Sequence, residues 1–327
     1  MKYFTGKLLA AVSISSLFII LVFLFWLRSI YLKPGPFEAP KVVVIPKGSS
    51  IAKIAELLES KGAIRNKYFF IISIRLWGND ALLKAGEFLL PAKASFYDVQ
   101  KILKDGRSLF RKFTIPEGLT TFEIVKKIEN IAELSGEVSI NLEEGELLPE
   151  TYHFAYGVSR NKIVKRMQEE MLVTLNSLWD GRKRGLPLET PIQALILASI
   201  VEKETGQPSE RGRVAAVFIN RLRKNMRLQS DPTVVYGLTQ GRGRLGRSLT
   251  KGDLKTPTSY NTYLIGGLPP GPICNPGRAA IEAVLQPPDT KEFYFVSNGD
   301  GGHEFSKSLK EHNRNVARFR EKRIKNK

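Results

Sequence analysis

The sequence predicts an α+β protein: an N-terminal single transmembrane helix, then a small α+β region, then a larger mixed α+β domain. Three observations predict it. Leu8 to Leu27 is a run of twenty residues without a charge. A strand, a proline turn and a capped helix recur three times between residues 41 and 130. Residues 131–327 alternate helix-spaced apolar stripes with loops rich in Pro and Gly. A length of 327 residues is enough for two or three domains with real cores. With 43% hydrophobic and 25% charged residues, a largely disordered chain is excluded. The one cysteine, Cys274, rules out an intramolecular disulfide framework. With only His153, His303 and His312 beside it, a Cys/His metal cluster is all but ruled out as well. The expected chemistry is therefore that of carboxylates, hydroxyls and amides. A net charge of +18 points to anionic surroundings such as nucleic acid, phospholipid or an acidic cell-wall polymer, without choosing among them.

In chain order, residues 1–7 form a short tail and residues 8–27 the span, since about twenty helical residues cross a hydrocarbon core of about 30 Å. A cleaved leader would have a shorter apolar run and a small-x-small cleavage site. The segment SIYLKPGP offers none, so the helix is read as retained. Lys2 and Lys7 precede it and Arg28 and Lys33 follow, so the positive-inside rule sets no orientation. Trp26 suits an interfacial anchor. Residues 28–40, with Lys33-Pro34-Gly35-Pro36, read as a linker.

Region 41–130 carries the repeat. Strand 41–45 leads through Pro46 to Ile51, Ile54, Ala55 and Leu58 at helical spacing. Strand 87–90 leads through Pro91 and Ser95 to Val99 and Leu103, and strand 111–115 through Pro116 and Thr120 to Ile124 and Ile128. Thr120 and Glu123 form a capping box, hydroxyl and carboxylate each satisfying an amide donor at the helix start. A structural spacer and a glycan-binding module both fit this region.

Domain 131–327 holds the positions that packing alone would not select. Thr190 as N-cap and Pro191 at the first helical position open a helix that runs to Thr205 and stops at Gly206. With Leu197 at zero and about 100° per residue, Glu204 lies at about 340°, between Ile200 and Val201, whereas Glu202 lies at about 140°. A carboxyl among apolar side chains loses hydration in its charged form, so its pKa rises and it becomes a candidate general acid. Glu204 is that candidate; its alternatives are a bend into solvent or a pairing with Arg211 or Arg221. Glu202 is expected as a solvated charge or a partner of Lys203. A second helix is expected from Ser209, as N-cap, to Lys224, with Val214, Val217, Phe218 and Leu222 inward and Asn220 and Arg221 closing it.

Two loops mix hydrogen-bonding and aromatic residues as a sugar polymer would require: Met226 to Tyr236, and Tyr260 to Pro272. Turn capping by Ser230 and Asp231 is the ordinary alternative. Asn275-Pro276-Gly277 opens a further helix. His303 either orients a ligand or holds the loop after strand 293–296, and His153 and His312 are read as structural. From Lys307 onward nine basic residues face two acidic ones, a solvated helix and tail or a surface drawn to anionic lipid or wall polymer.

The motifs LLPETYHF, ASIVEKET, SERGRVAAVFINRL, LQSDPTVVYG, YNTYLIGGLPPGPICNPG and FYFVSNGDGGHEFSKSLKEHN follow one another between residues 147 and 313. Together they resemble the YceG-like family of endolytic murein transglycosylases, over about residues 40 to 320. The resemblance implies a membrane anchor with a cytoplasmic tail, a LysM-like region at 41–130, and an extracytoplasmic catalytic domain at 131–327 on the inner cell membrane. It implies glycan strands of peptidoglycan as substrate, peptidoglycan synthases as further partners, and strand termination during wall synthesis; nucleic acid is not expected. Glu204 would be catalytic, in agreement with the helical-face argument. By position in the motifs, Glu150, Tyr152, Gln229, Asp231, Tyr236, Tyr260, Asn261, Asn275 and His303 would line the groove, each with a structural role as its alternative. The implied chemistry is non-hydrolytic cleavage of the MurNAc-β-1,4-GlcNAc bond with a 1,6-anhydro end, needing neither metal nor cofactor. A non-catalytic, membrane-anchored wall-binding scaffold with the same groove is the competing expectation.

Overall fold

The computed structural model describes residues 2–77 and 83–325. Two compact units emerge: one from the chain up to Arg111 together with His153–Gly157, the other from Lys112–Tyr152 and the chain from Val158 onward.

The first unit begins with α1, Lys2–Leu32, in which Val12–Leu32 is long and apolar enough to cross a membrane. Phe18 and Phe25 in that window are 68% and 76% exposed, as side chains meant for lipid would be. Tyr31, in the last turn, is instead buried in the unit's own core and donates its hydroxyl to Gln100 Oε1 at 2.8 Å. Strand β1, Lys41–Ile45, precedes α2, Ile51–Ser60, where Ser50 accepts from the amide of Lys53 and Ile54, Ala55 and Leu58 face inward as their spacing predicts. Helix α3, Lys67–Trp77, was not foreseen; its start is held by Asn66 Oδ1, which accepts from the amide of Phe69. Strand β2, Gly86–Leu90, pairs antiparallel with β1, Val43 opposite Phe88. The order is β-α-α-β, followed by α4, Phe96–Asp105, which a Ser95–Asp98 capping box opens.

Strand β3, Phe110–Thr114, pairs with β4, Thr151–Ala155, and the division between the units falls within these two strands. Helix α5, Thr121–Glu129, has the expected Thr120–Glu123 capping box and lies in the second unit. That unit continues with α6, Arg160–Asp180; α7, Pro191–Glu204; α8, Pro208–Arg223; α9, Asp231–Thr239; and α10, Arg278–Leu285. A hairpin of β5, Tyr294–Ser297, and β6, His303–Ser306, and then α11, Leu309–Lys325, complete it.

Helix α7 is the axis of this unit. Thr190 caps it by accepting from the amide of Gln193, and Ala194 to Val201 are buried without interruption. The helices α6, α8, α9 and α10 pack around it, each large apolar side chain it buries contributing about 1.5–3 kcal/mol before entropy is charged. Helix α8 departs from expectation at both ends. Its N-cap is Gln207, not Ser209, because Pro208 takes the first helical position, where its missing N–H costs nothing. Asn220 and Arg221 do not close it but turn inward at 8% and 7% exposure. Arg221 donates to the carbonyls of Phe293 and Leu228, both at 2.7 Å, tying α8 to the hairpin and to the segment before α9.

Candidate active site

Glu204 is the last residue of α7, and Thr205 ends the helix by donating its amide to Val201 O. Its carboxyl lines an open cleft of about 420 Å3 with Arg221, Gln229, Asp231, Tyr263, Tyr294 and His312. Ser230 Oγ donates to Glu204 Oε1 at 2.5 Å, which leaves Oε2 without a protein partner among the described residues. Burial pushes the Glu204 pKa up to about 7; the Ser230 hydroxyl and the Arg221 charge pull it down less than burial raises it, and Asp231 adds to the rise. A carboxyl poised near neutrality at a cleft wall can both give and take a proton.

Glu202 corrects the sequence reading. Far from solvated, its side chain is 5% exposed. Its Oε2 accepts from the amide of Gly277, the N-cap of α10, at 2.8 Å, and Arg211 Nη2 reaches Oε1 at 3.4 Å and Glu117 Oε2 at the same distance. Burial raises its pKa too. A half-exposed α7 is not what the packing gives: from Ala194 to Val201 its neighbours cover every face, and Ser199, on the expected outer face, is fully buried and bonded to the amide of Ile273. Gly277 leaves room for the Glu117 carboxylate, which a Cβ at that position would push aside.

The structure divides the proposed groove residues. Gln229 and Asp231 stand with Glu204 in the cleft, Gln229 held at φ 50° with its amide on Thr262 O. Asp231 also receives the Tyr263 hydroxyl at 2.7 Å. Tyr236 lines the adjoining cavity, packed on Tyr260 with ring centroids 4.7 Å apart. Three others are framework. Tyr152 is fully buried, its hydroxyl on Leu148 O and its ring against Phe113. Asn261 is fully buried and donates to the carbonyls of Leu254 and Thr256. Asn275 is fully buried, accepts from the amide of Leu147 and donates to Leu119 O, Thr121 Oγ1 and Glu144 Oε1. Glu150 is exposed and lines a separate hollow with Glu169 and Glu170.

His303 opens β6 and docks the hairpin: its amide and Nδ1 meet the two carboxylate oxygens of Glu210 at 3.0 and 2.8 Å. Gly302 permits that approach, since a Cβ would lie 2.7 Å from Glu210 Oε1. The glycine-rich motif before His303 is thus a docking device for a hairpin.

Four residues of the site were not singled out from the sequence: Ser230, buried behind Glu204, and Tyr263, Tyr294 and His312, which line the cleft. The first two sit in motifs that the sequence does mark, Ser230 only as a turn cap and Tyr263 only as part of a loop. Tyr294 and His312, rings stacked 5.2 Å apart, lie in the last of the quoted motifs, where His312 was read as structural and Tyr294 was given no role.

Fold and site together define a protein built on one buried helix that delivers a single sheltered, protonatable carboxyl to the wall of an open polar cleft. The chain belongs to the YceG-like family, whose model matches residues 43–318. A Bacillus subtilis protein named endolytic murein transglycosylase is 31% identical over 304 residues, covering 83% of this chain and 82% of the relative. A Streptococcus pneumoniae protein of the same name is 28% identical over 84% of this chain, which spans 57% of that longer relative. The crystal structure of a YceG-like protein from Listeria monocytogenes matches 84% of this chain and 98% of its own with a TM-score of 0.52 at 33% identity.

Proposed function

We propose that this protein is a membrane-anchored endolytic lytic transglycosylase that cuts the MurNAc-β-1,4-GlcNAc bond of nascent peptidoglycan strands from the outer face of the cell membrane. The observation that carries the reading is Glu204: a carboxyl with its pKa near 7, one oxygen held by Ser230, at the wall of a cleft open to solvent. Protonated Glu204 donates to the leaving glycosidic oxygen as positive charge develops at C1. The carboxylate it becomes then accepts the proton of the muramic C6 hydroxyl, whose oxygen closes on C1 to give the 1,6-anhydro end. One carboxyl serves both steps because the substrate supplies the nucleophile, so no second acid is needed to activate water. Ser230 fits both states, stabilising the carboxylate without blocking Oε2. Gln229, Asp231 and Tyr263 supply amide, carboxylate and hydroxyl groups for sugar hydroxyls.

The apolar helix Val12–Leu32 supports anchoring, and the β-α-α-β order of the first unit supports a LysM-like, glycan-holding role for it. Release of strand ends at the membrane suits a function in terminating glycan synthesis.

The test is digestion of uncrosslinked glycan strands followed by mass spectrometry. Wild-type protein is expected to release 1,6-anhydro ends, and Glu204→Gln to bind strands without cutting them. Reducing ends would mean hydrolysis, with Asp231 activating water, and no product from folded protein would leave a scaffold.

A further inference from the structure

We propose that the large cavity beside the Glu204 cleft seats the peptide stem borne by the muramic acid being cut, with Arg244 binding a stem carboxylate. This rests on the transglycosylase reading. The cavity, about 580 Å3, is larger than the cleft, and Asp231 lines both, so the cavity adjoins the place where a sugar at Glu204 would sit. Its floor is apolar, from Leu119, Pro232, Val235, Leu245 and Ile273, and Lys203, Arg244 and Arg247 stand on its walls.

That combination suits a peptide better than more sugar. The N-acetylated sugars of a strand carry no charge once the lactyl group is amide-linked, whereas the stem brings aliphatic side chains and free carboxylates. The three cations are not equally available. Arg247 is consumed by a two-pronged contact with Asp253, at 2.6 and 2.9 Å, and Lys203 donates to Gly118 O at 3.1 Å. Arg244 is exposed and enters no ion pair among the described residues. The acidic groups on the same walls are engaged: Glu123 in the capping box of α5, and Asp231 by the hydroxyl of Tyr263.

The segment that presents Arg244 is pinned at both ends. The Thr120 hydroxyl donates to Gly241 O at 2.7 Å, and Arg247 clamps on Asp253. Gly241 has φ 68°, and a Cβ on it would come within 2.9 Å of the Tyr236 ring, so glycine is needed for the chain to turn there. Segment 241–247 is thereby preorganised, and less ordering entropy is charged when a ligand binds.

The experiment compares full-length wild type and Arg244→Glu, in detergent, on glycan strands carrying their stems and on strands stripped of them by an amidase. In parallel, a fluorescent muramoyl pentapeptide is titrated into the Glu204→Gln protein with and without Arg244→Glu. Arg244→Glu is expected to lower kcat/KM on stem-bearing strands about tenfold, the worth of one charge-assisted contact, and on stripped strands less than about twofold. Peptide affinity is expected to fall in parallel and to weaken with added salt. An equal loss on both substrates would mean that the cavity holds sugar, and no loss on either that it holds nothing; both overturn the proposal. If wild type cuts neither substrate yet the peptide still binds through Arg244, the catalytic reading fails and the pocket assignment stands. If the peptide does not bind, the pocket assignment fails alone.

Discussion

Two carboxylates on one helix end, Glu202 and Glu204, occupy regions of opposite character. Around Glu202 the protein closes: the Gly277 amide, Arg211 and, through Arg211, Glu117 engage a side chain that is 5% exposed. Around Glu204 it opens, with Ser230 as hydrogen-bond donor and a cleft in front. Burial raises the pKa of both, so a raised pKa does not tell the two apart. Spare bonding capacity facing a cavity does.

The comparison is tested most severely by Glu204→Gln, which should cut strand cleavage by about 10^3-fold, as removal of a general acid–base group does, with binding retained. The same substitution tests the pKa. The native state holds the Glu204 proton up to about pH 7, whereas the unfolded chain releases it near the ordinary value of 4.5. Wild-type stability therefore falls as pH rises between those limits, by on the order of 3 kcal/mol as an upper bound because the group borders solvent. Gln cannot ionise, so the Tm of Glu204→Gln should exceed that of wild type at pH 8 and match it at pH 4. Wild-type turnover should fall above about pH 7, where the acid loses its proton. Equal Tm differences at both pH values would show that Glu204 is not sheltered.

Next in size, Glu202→Ala should strand the Gly277 amide, leave Arg211 with Glu117 as its one acidic partner and cost about 2 kcal/mol, read as a lower Tm. Turnover per folded molecule should stay within about threefold. If turnover collapses while Tm holds, the two carboxylates have been assigned the wrong way round.

Ser230→Ala should raise the Glu204 pKa further, because the hydroxyl stabilises the charged form, and move the alkaline limb of the pH–rate profile upward by about one unit. An unmoved profile would deny the bond a role in tuning the acid. The smallest effect expected is from Tyr152→Phe, which removes the bond to Leu148 O and should cost about 1 kcal/mol of stability with cleavage unchanged. A loss of cleavage without a loss of Tm would return Tyr152 to the groove.

Local features were legible in the sequence. The Thr190 cap and Pro191, the Thr120–Glu123 box, strands β1 and β2, and the candidacy of Glu204 each follow from side chains within a few positions of one another. The failures share a cause. Asn275 and Tyr152 look like groove residues in a polar motif, but packing buries both: Asn275 is bonded to Leu147 and Glu144, more than a hundred positions away, and the Tyr152 ring lies against Phe113. His303 reads as a ligand group until Glu210 is placed under it.

The sequence by itself determined the apolar run, the caps at Thr120 and Thr190 and the helix whose end bears the two carboxyls, because hydrogen-bond capping and helical periodicity act over one or two turns. Only the tertiary structure decided which of the two acids stays available. Hydration of a carboxyl depends on everything packed around it, and here Gly277 and Ser230 arrive from 75 and 26 positions away.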